Sequence, residues 1–397
     1  MSFLLKNNSI QQKNKRNYKI VSKKIDEILK QINIKKNSYH SLSKKFSFDI
    51  FKKKLNKYKK FNTIVIIGMG GSILGSQSIY NFLSHKIKRK FIFIDNLDGN
   101  RIKSLKSKIH QKKTLFIIIS KSGNTLETLT IVDLLRKFNF NESNTLIITE
   151  KKKSALYNFC IKKNIQFIEH KKYIGGRYSV LSEVGMIPAY FMNLNLRSFR
   201  KNLLKYFKPK YKKILINNIL FLADNFLSRK FNSIIFLNYS PQLNNFSFWC
   251  QQLIAESLGK KKKGLLPMVS SAPKDHHSLL QLYLDGPRDK IFVILSDNCE
   301  GNLKIKKSLF QRTPIKLNDK KLNKIINSQK KALTIVLKNK KIPFKEIEIN
   351  KFSEETIGEL FAYFILETSI LGKLINVNPF DQPAVEEVKK ITKKLLN

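Results

Sequence analysis

The chain has 397 residues, 42% of them hydrophobic, which excludes general disorder and allows a large core divided between two domains. Its 76 Lys and Arg against 28 Asp and Glu give a formal net charge of +48, which points first to nucleic acid or an anionic membrane surface. The cations are overwhelmingly Lys and run through the whole chain beside enriched Ile, Asn and Phe, a pattern expected of an A/T-rich coding bias. No aromatic-interleaved cationic patch or nucleic-acid motif accompanies them, so neither specific nucleic acid nor a membrane is expected as a partner. Cys160, Cys250 and Cys299 are solitary and far apart. With no disulfide framework or Cys-x-x-Cys pattern, a reducing, cytoplasmic setting is expected. The polar N-terminus lacks the apolar core of a signal peptide. The longest apolar stretch, Leu360 to Ile375, is broken by Glu367 and Lys373 and reads as a buried helix.

Residues up to about Tyr58 are rich in Lys and Asn, with helical periodicity around Tyr18 to Ile34, and read as a helical extension on the main body. From Phe61 strands and helices alternate. Thr63–Ile67, Phe91–Asp95, Leu115–Ile119, Thr145–Thr149 and a short Ile165–Ile168 are the expected strands of a doubly wound parallel sheet. After an amphipathic connection through Tyr211–Phe226 a second set follows: Ser233–Leu237, Gly264–Val269, Ile291–Leu295, Leu333–Leu337 and Phe344–Ile349. Helices over about Glu354–Ile375 and Pro383–Leu396 close the chain. The fold class is α/β, with two architecturally similar halves and helical N- and C-terminal extensions.

Two loops carry the first chemical signal. Ser120-Lys121-Ser122-Gly123-Asn124-Thr125 lies between an apolar strand and a helix, so hydroxyls and free backbone N–H groups meet at a helix N-terminus. Such a turn suits a phosphate monoester, and by itself also fits an ordinary N-cap. Upstream, Gly68-Met69-Gly70-Gly71-Ser72-Ile73-Leu74-Gly75 follows another apolar strand. A dinucleotide fold is its rival, with Asp95 placed like a ribose-binding acid, but the spacing is not G-x-G-x-x-G. Two such loops at the ends of neighbouring parallel strands favour a sugar phosphate.

Four other stretches stand out. Gly175-Gly176-Arg177 sets one of the few arginines where backbone can approach a ligand closely. Gln251 to Lys260 reads as a helix end capped by Gly259, with Gln252 and Glu256 on one face at i,i+4; a solvated carboxylate fits that pattern equally. Asp275-His276-His277-Ser278 follows a strand at a helix start, without the further ligands that a metal site needs. Phe380-Asp381-Gln382-Pro383 precedes the last helix, and Lys389, seven residues beyond Gln382, can share its face.

Taken together, Gly68–Gly75, Ser120–Thr128, Gly175–Ser179, Gln251–Lys260, His277–Leu282 and Phe380–Lys389 resemble, in order, the motifs of the phosphoglucose isomerase family in its shorter bacterial form. The resemblance implies two sugar-isomerase (SIS) domains at residues 59–205 and 206–376, an extension at 1–58, and a helix at 377–397 returning to the active site. It implies a cytosolic homodimer whose active site is shared between subunits, without metal, nucleotide or other cofactor. The expected reaction is aldose–ketose isomerisation of glucose 6-phosphate and fructose 6-phosphate. By the same resemblance Glu256 is the base moving a proton between C2 and C1, and Arg177 stabilises the enediolate. His277, from the partner chain, and Lys389 assist ring opening. Ser120, Ser122 and Thr125 hold the phosphate, with Ser72 nearby and Lys121 acting mainly through its backbone. Gly176, Gln252 and Gln382 contact the sugar. His276 stands where the family often has Gln, and Pro383-Ala384 where its extended forms have an aromatic–Gly pair. The alternatives are a dual glucose/mannose phosphate isomerase and a non-catalytic sugar-phosphate-binding regulator. The latter needs the phosphate loops but not Glu256, Arg177 and His277 together.

Overall fold

Buried aliphatic runs set the positions of ten strands in two five-stranded sheets, in a computed structural model that describes residues 3–7, 15–34, 36–48, 52–299, 303–310 and 314–397. They are β1 (Phe3–Asn7), β2 (Thr63–Ile67), β3 (Lys90–Ile94), β4 (Thr114–Ile119), β5 (Thr145–Thr149), β6 (Gln166–Glu169), β7 (Ser233–Asn238), β8 (Leu266–Ser271), β9 (Lys290–Asp297) and β10 (Phe344–Ile349). The first sheet is entirely parallel in the order β3-β2-β4-β5-β6, with Ile66 opposite both Phe93 and Ile117. Every residue of β4 and β5 is buried, as a parallel sheet covered on both faces requires. The second sheet runs β1-β10-β9-β7-β8, parallel except where β1 pairs antiparallel with β10, Phe3 opposite Ile349.

Two expectations are corrected. The N-terminal segment is not only helical: Phe3–Asn7 adds an edge strand to the second sheet, and Phe3 packs edge-on against Tyr363 with ring centroids 6.3 Å apart. The helix Lys15–Ile32 follows the predicted periodicity, burying Val21, Ile25, Ile28 and Ile32. The other correction concerns Leu333–Leu337, which lies inside the helix Leu322–Asn339 and is not a strand. The five apolar and β-branched residues looked like a strand, but only Leu333 and Leu337 of them are buried, four apart on one helical face, while Ile335 is 51% exposed.

One core joins the sheets. The helix Glu354–Leu374 is buried almost all round and packs on the helices Asn244–Leu258 and Pro209–Leu227, so a sequence apolar on every face is satisfied within the protein. The charge that interrupts its apolar run, Glu367, accepts from Lys345 Nζ of β10 with both oxygens at 2.7 Å. Among the described residues no helix is long and apolar enough to cross a membrane. At the C-terminal ends of β2 and β4, adjacent in the first sheet, the two loops singled out above emerge side by side.

Candidate active site

The glycine-rich loop leaves β2 and turns through a short 3-10 segment, Gly70–Ser72, into the helix Leu74–Phe82. It lies against the turn at Gly175–Arg177. A Cβ on Gly71 would come within 2.3 Å of the Gly176 carbonyl carbon and 2.5 Å of the Arg177 nitrogen, so only glycine permits this approach. Ser72 is buried at the end of the loop.

The hydroxyl loop leaves β4 and opens the helix Leu126–Leu134, with Thr125 in the N-cap position. Ser120 Oγ lies 2.8 Å and Ser122 Oγ 3.4 Å from Thr125 Oγ1, so three hydroxyls form one cluster. The loop is folded back on itself: Gly123 N donates to Ser120 Oγ at 3.1 Å and Asn124 N to Ser122 Oγ at 3.2 Å. Gly123 has φ +69°, and a Cβ there would lie 2.2 Å from Ser154 Oγ. Lys121 is turned away from the hydroxyls. Its Nζ donates to the Lys172 carbonyl at 3.0 Å and lies 3.7 Å from Glu150 Oε1, and burial holds its pKa below the ordinary lysine value. Its side chain is thus occupied elsewhere, leaving its backbone in the loop.

Arg177, 3% exposed, is the centre of a second cluster. It stands in the 3-10 segment Gly176–Leu181, and its guanidinium spends its donors on two segments of chain, 256–257 and 379–382. Nε donates to Ser257 Oγ at 2.9 Å; Nη1 donates to Glu256 Oε2 at 3.2 Å and Gln382 Oε1 at 2.9 Å. Nη2 donates to the carbonyls of Pro379 at 2.7 Å and Asp381 at 2.9 Å. Glu256 and Gln252 share a face of the helix Asn244–Leu258, and Gln252 Nε2 donates to Glu256 Oε1 at 2.8 Å. Both carboxylate oxygens of Glu256 therefore have a partner. Gln252 Oε1 is buried with no hydrogen bond, an acceptor left open beside the cluster.

Four supporting residues were not singled out in the sequence. Ser257 receives Arg177 Nε and lies 2.8 Å from Tyr178 Oη, which in turn donates to the Pro379 carbonyl at 2.9 Å. Lys260 Nζ lies 2.9 Å from Asp381 Oδ1, pinning the segment that carries Gln382, and this pairing holds the Asp381 carboxyl below its usual range. All four lie within the motifs quoted above, but only the contacts separate them from their neighbours.

Two candidates stand apart from this cluster. His277 is exposed on the short turn Lys274–His277 after β8, the edge strand of the second sheet, and makes no hydrogen bond to Glu256 or Arg177. Its neighbours are engaged: His276 Nε2 lies 2.7 Å from Tyr239 Oη, and Asp275 Oδ2 accepts from Ser270 Oγ at 2.9 Å and Ser271 N at 2.7 Å. Lys389 lies on the exposed helix Val385–Leu396 and pairs with Glu386 at 2.7 Å. That helix begins at Val385 and not at Pro383, so Gln382 precedes it and shares no helical face with Lys389. Asp95, the rival ribose acid, instead accepts from Gln77 Nε2 at 2.7 Å and Arg101 Nη1 at 3.3 Å. Among the described residues no group of three or more His, Cys, Asp or Glu is placed to hold a metal ion.

Two α/β sheets, one wholly parallel and one parallel but for its β1 edge, with paired loops at the C-terminal ends of neighbouring strands of the first, define a double SIS-domain protein. The same architecture is found in the crystal structure of a hypothetical protein from Thermus thermophilus, with TM-score 0.88, 23% identity, and coverage of 99% of this chain and 100% of that one. It is also found in a glucose-6-phosphate isomerase from Chlamydia trachomatis, with TM-score 0.70, 18% identity, and coverage of 98% and 76%. In sequence, residues 8–397 match phosphoglucose isomerase, and the chain belongs to that family. It is 33% identical over 386 residues to the glucose-6-phosphate isomerase of Methanocaldococcus jannaschii, covering 91% of this chain and 93% of the relative. To that of Carboxydothermus hydrogenoformans it is 30% identical over 369 residues, covering 85% and 79%.

Proposed function

We propose that this protein is an isomerase that interconverts glucose 6-phosphate and fructose 6-phosphate through a cis-enediolate. The observation that carries the reading is the junction of Glu256 and Arg177, with Gln252 and Gln382 on either side. Moving a hydrogen between C2 and C1 requires a base next to the carbonyl and a fixed cation for the charge that develops on oxygen. Glu256 takes the C2 proton and returns it to C1. Arg177, immobilised by its five acceptors, keeps a fixed positive charge beside Glu256 and stabilises the developing enediolate through its field. Gln252 and Gln382 bind sugar hydroxyls, and Gly176 lines the same place with backbone.

The phosphate is held by Ser120, Ser122 and Thr125 at the N-terminus of the helix Leu126–Leu134, with Ser72 from the neighbouring loop and the backbone of Lys121. His277 and Lys389 serve the opening of the cyclic sugar. Since His277 lies at an open sheet edge and not beside Glu256, the reading assigns it to the active site of a second subunit in a homodimer. The same reading assigns the protein to the cytoplasm and divides the chain near residues 59, 206 and 377.

The test is a coupled assay on glucose, fructose and mannose 6-phosphates in turn. Turnover between the first two supports the reading. Turnover of mannose 6-phosphate at a comparable rate would make the enzyme dual, and binding without any turnover would make it a sugar-phosphate sensor.

A further inference from the structure

A cleft of about 1250 Å³ opens at the N-terminal end of the helix Glu354–Leu374. The Arg177 cluster lies at the other end of that helix, where Pro379 meets Gly372. The 21-residue helix separates the two by roughly 30 Å at 1.5 Å per residue. The cleft is therefore distinct from the sugar-phosphate site.

Its walls are unusually cationic even for this chain. Eight of its nineteen lining residues are Lys or Arg and two are Glu, against 76 basic residues among 397 overall, so a uniform enrichment in Lys does not account for it. Both glutamates are already neutralised, Glu354 by Lys86 at 2.6 Å and Glu355 by Lys201 at 3.2 Å. Lys205 is paired with Glu359 at 2.6 Å. Lys44, Arg197, Lys208 and Lys351 have no carboxylate within ion-pair distance among the described residues. Arg200 adds a further cation, set against the rings of Phe46 and Phe48 and bonded to the Ser41 carbonyl at 3.0 Å, its charge partly offset by Glu183. A concave surface focuses the field of such charges, and holding them together unpaired costs self-repulsion that a bound anion would relieve.

We infer that this cleft is a binding site for a chain of condensed phosphates, free or carried by a nucleotide. The four unpaired cations come from separate stretches of the chain around a cleft of about 1250 Å³, far more room than one phosphate fills, which suits several linked charges better than a single phosphate. Arg197 offers a fork for phosphate oxygens, and the Ser198 hydroxyl adds a neutral donor.

The test is calorimetric titration of the full chain with inorganic tripolyphosphate and, separately, with ATP. It is done near physiological salt, with glucose 6-phosphate in excess to occupy the sugar-phosphate site. Saturable binding of one tripolyphosphate per chain is expected. R197E/K208E should weaken it by about tenfold or more. K103E/K108E, the same charge change on the exposed face of the helix Gly99–Lys108, should leave it within about twofold, because distant exposed charges are screened. Both variants alter exposed residues, and their circular dichroism should match the parent. Tighter binding of ATP than of tripolyphosphate would assign the site to a nucleotide, and equal binding to the phosphate chain alone. Absence of saturable binding, or equal weakening by both double variants, would overturn the inference and leave only the overall charge.

Discussion

Arg177 Nη1 lies 3.2 Å from Glu256 Oε2, and the same guanidinium is fixed by Ser257, Gln382 and two carbonyls of the segment 379–381. A cation locked in this way is aimed before substrate arrives. Lys would keep the charge but could not reproduce the planar fork. Arg177→Lys should therefore lower kcat by about 10²–10³-fold, the range seen when one preorganised oxyanion donor is lost, with KM changed far less. A kcat within a few-fold of the parent, in a variant of unchanged circular dichroism, would remove Arg177 from transition-state stabilisation.

His277 provides a test of subunit sharing. If it acts in trans, Glu256→Gln and His277→Ala, each nearly inactive alone, should complement when co-expressed. In a mixed dimer one site collects both lesions and the other is intact, so random pairing should restore about a quarter of the parent activity. The assay should start from the ring-closed sugar, where ring opening is required. Mixed dimers confirmed by differential tags but showing no recovery would place His277 in cis or outside the reaction.

The buried pair Lys345–Glu367 predicts an asymmetric stability response. Both side chains are almost fully buried and joined at 2.7 Å, so removing one leaves an uncompensated charge in the core. Glu367→Leu should cost about 3–5 kcal/mol in urea unfolding, and the double variant Lys345→Met/Glu367→Leu should recover most of that loss. Equal loss in the single and double variants would mean that the pair contributes chiefly through packing.

Much of this arrangement can be read from the sequence, for a physical reason. Runs such as Thr63–Ile67 and Thr145–Thr149 are short, apolar and bounded by loop residues, and a strand buried on both faces is the natural reading. Leu333–Leu337 has the same composition, and only its tertiary setting, with one face on the core and Ile335 in solvent, selects a helix. Phe3–Asn7 is hidden for another reason: its partner is Phe344–Ile349, at the opposite end of the chain, and five residues carry little local signal. The candidate site divides similarly. Arg177, Gln252, Glu256 and Gln382 lie in recognisable motifs and meet in the structure, whereas Ser257 and Tyr178 matter only through contacts between distant segments.

His170 should impose an acid limit on stability. It is buried near Lys121 of the hydroxyl-rich loop, and burial, reinforced by the charge of Lys121, pushes its pKa down to about 3 from an ordinary 6.5. Between these values the unfolded chain binds a proton that the folded chain refuses, so stability rises with pH across that window and falls on acidification below about 6.5. The contribution of this one group should approach 1.4 kcal/mol per pH unit, roughly, near the middle of the window. Unfolding free energy measured from pH 4.5 to 7 should flatten by that amount in His170→Gln. An unchanged slope would mean that other groups govern acid unfolding.

The most direct measurement is hydrogen exchange at C2 of glucose 6-phosphate in deuterated solvent, catalysed by Glu256→Gln. The amide keeps the size of the side chain and can still accept from Arg177, but it cannot take a proton from carbon at neutral pH. Sugar-phosphate binding should remain close to that of the parent, while C2 exchange and isomerisation vanish together. Exchange persisting at the parent rate in the folded variant would place the base elsewhere and contradict the assignment of Glu256.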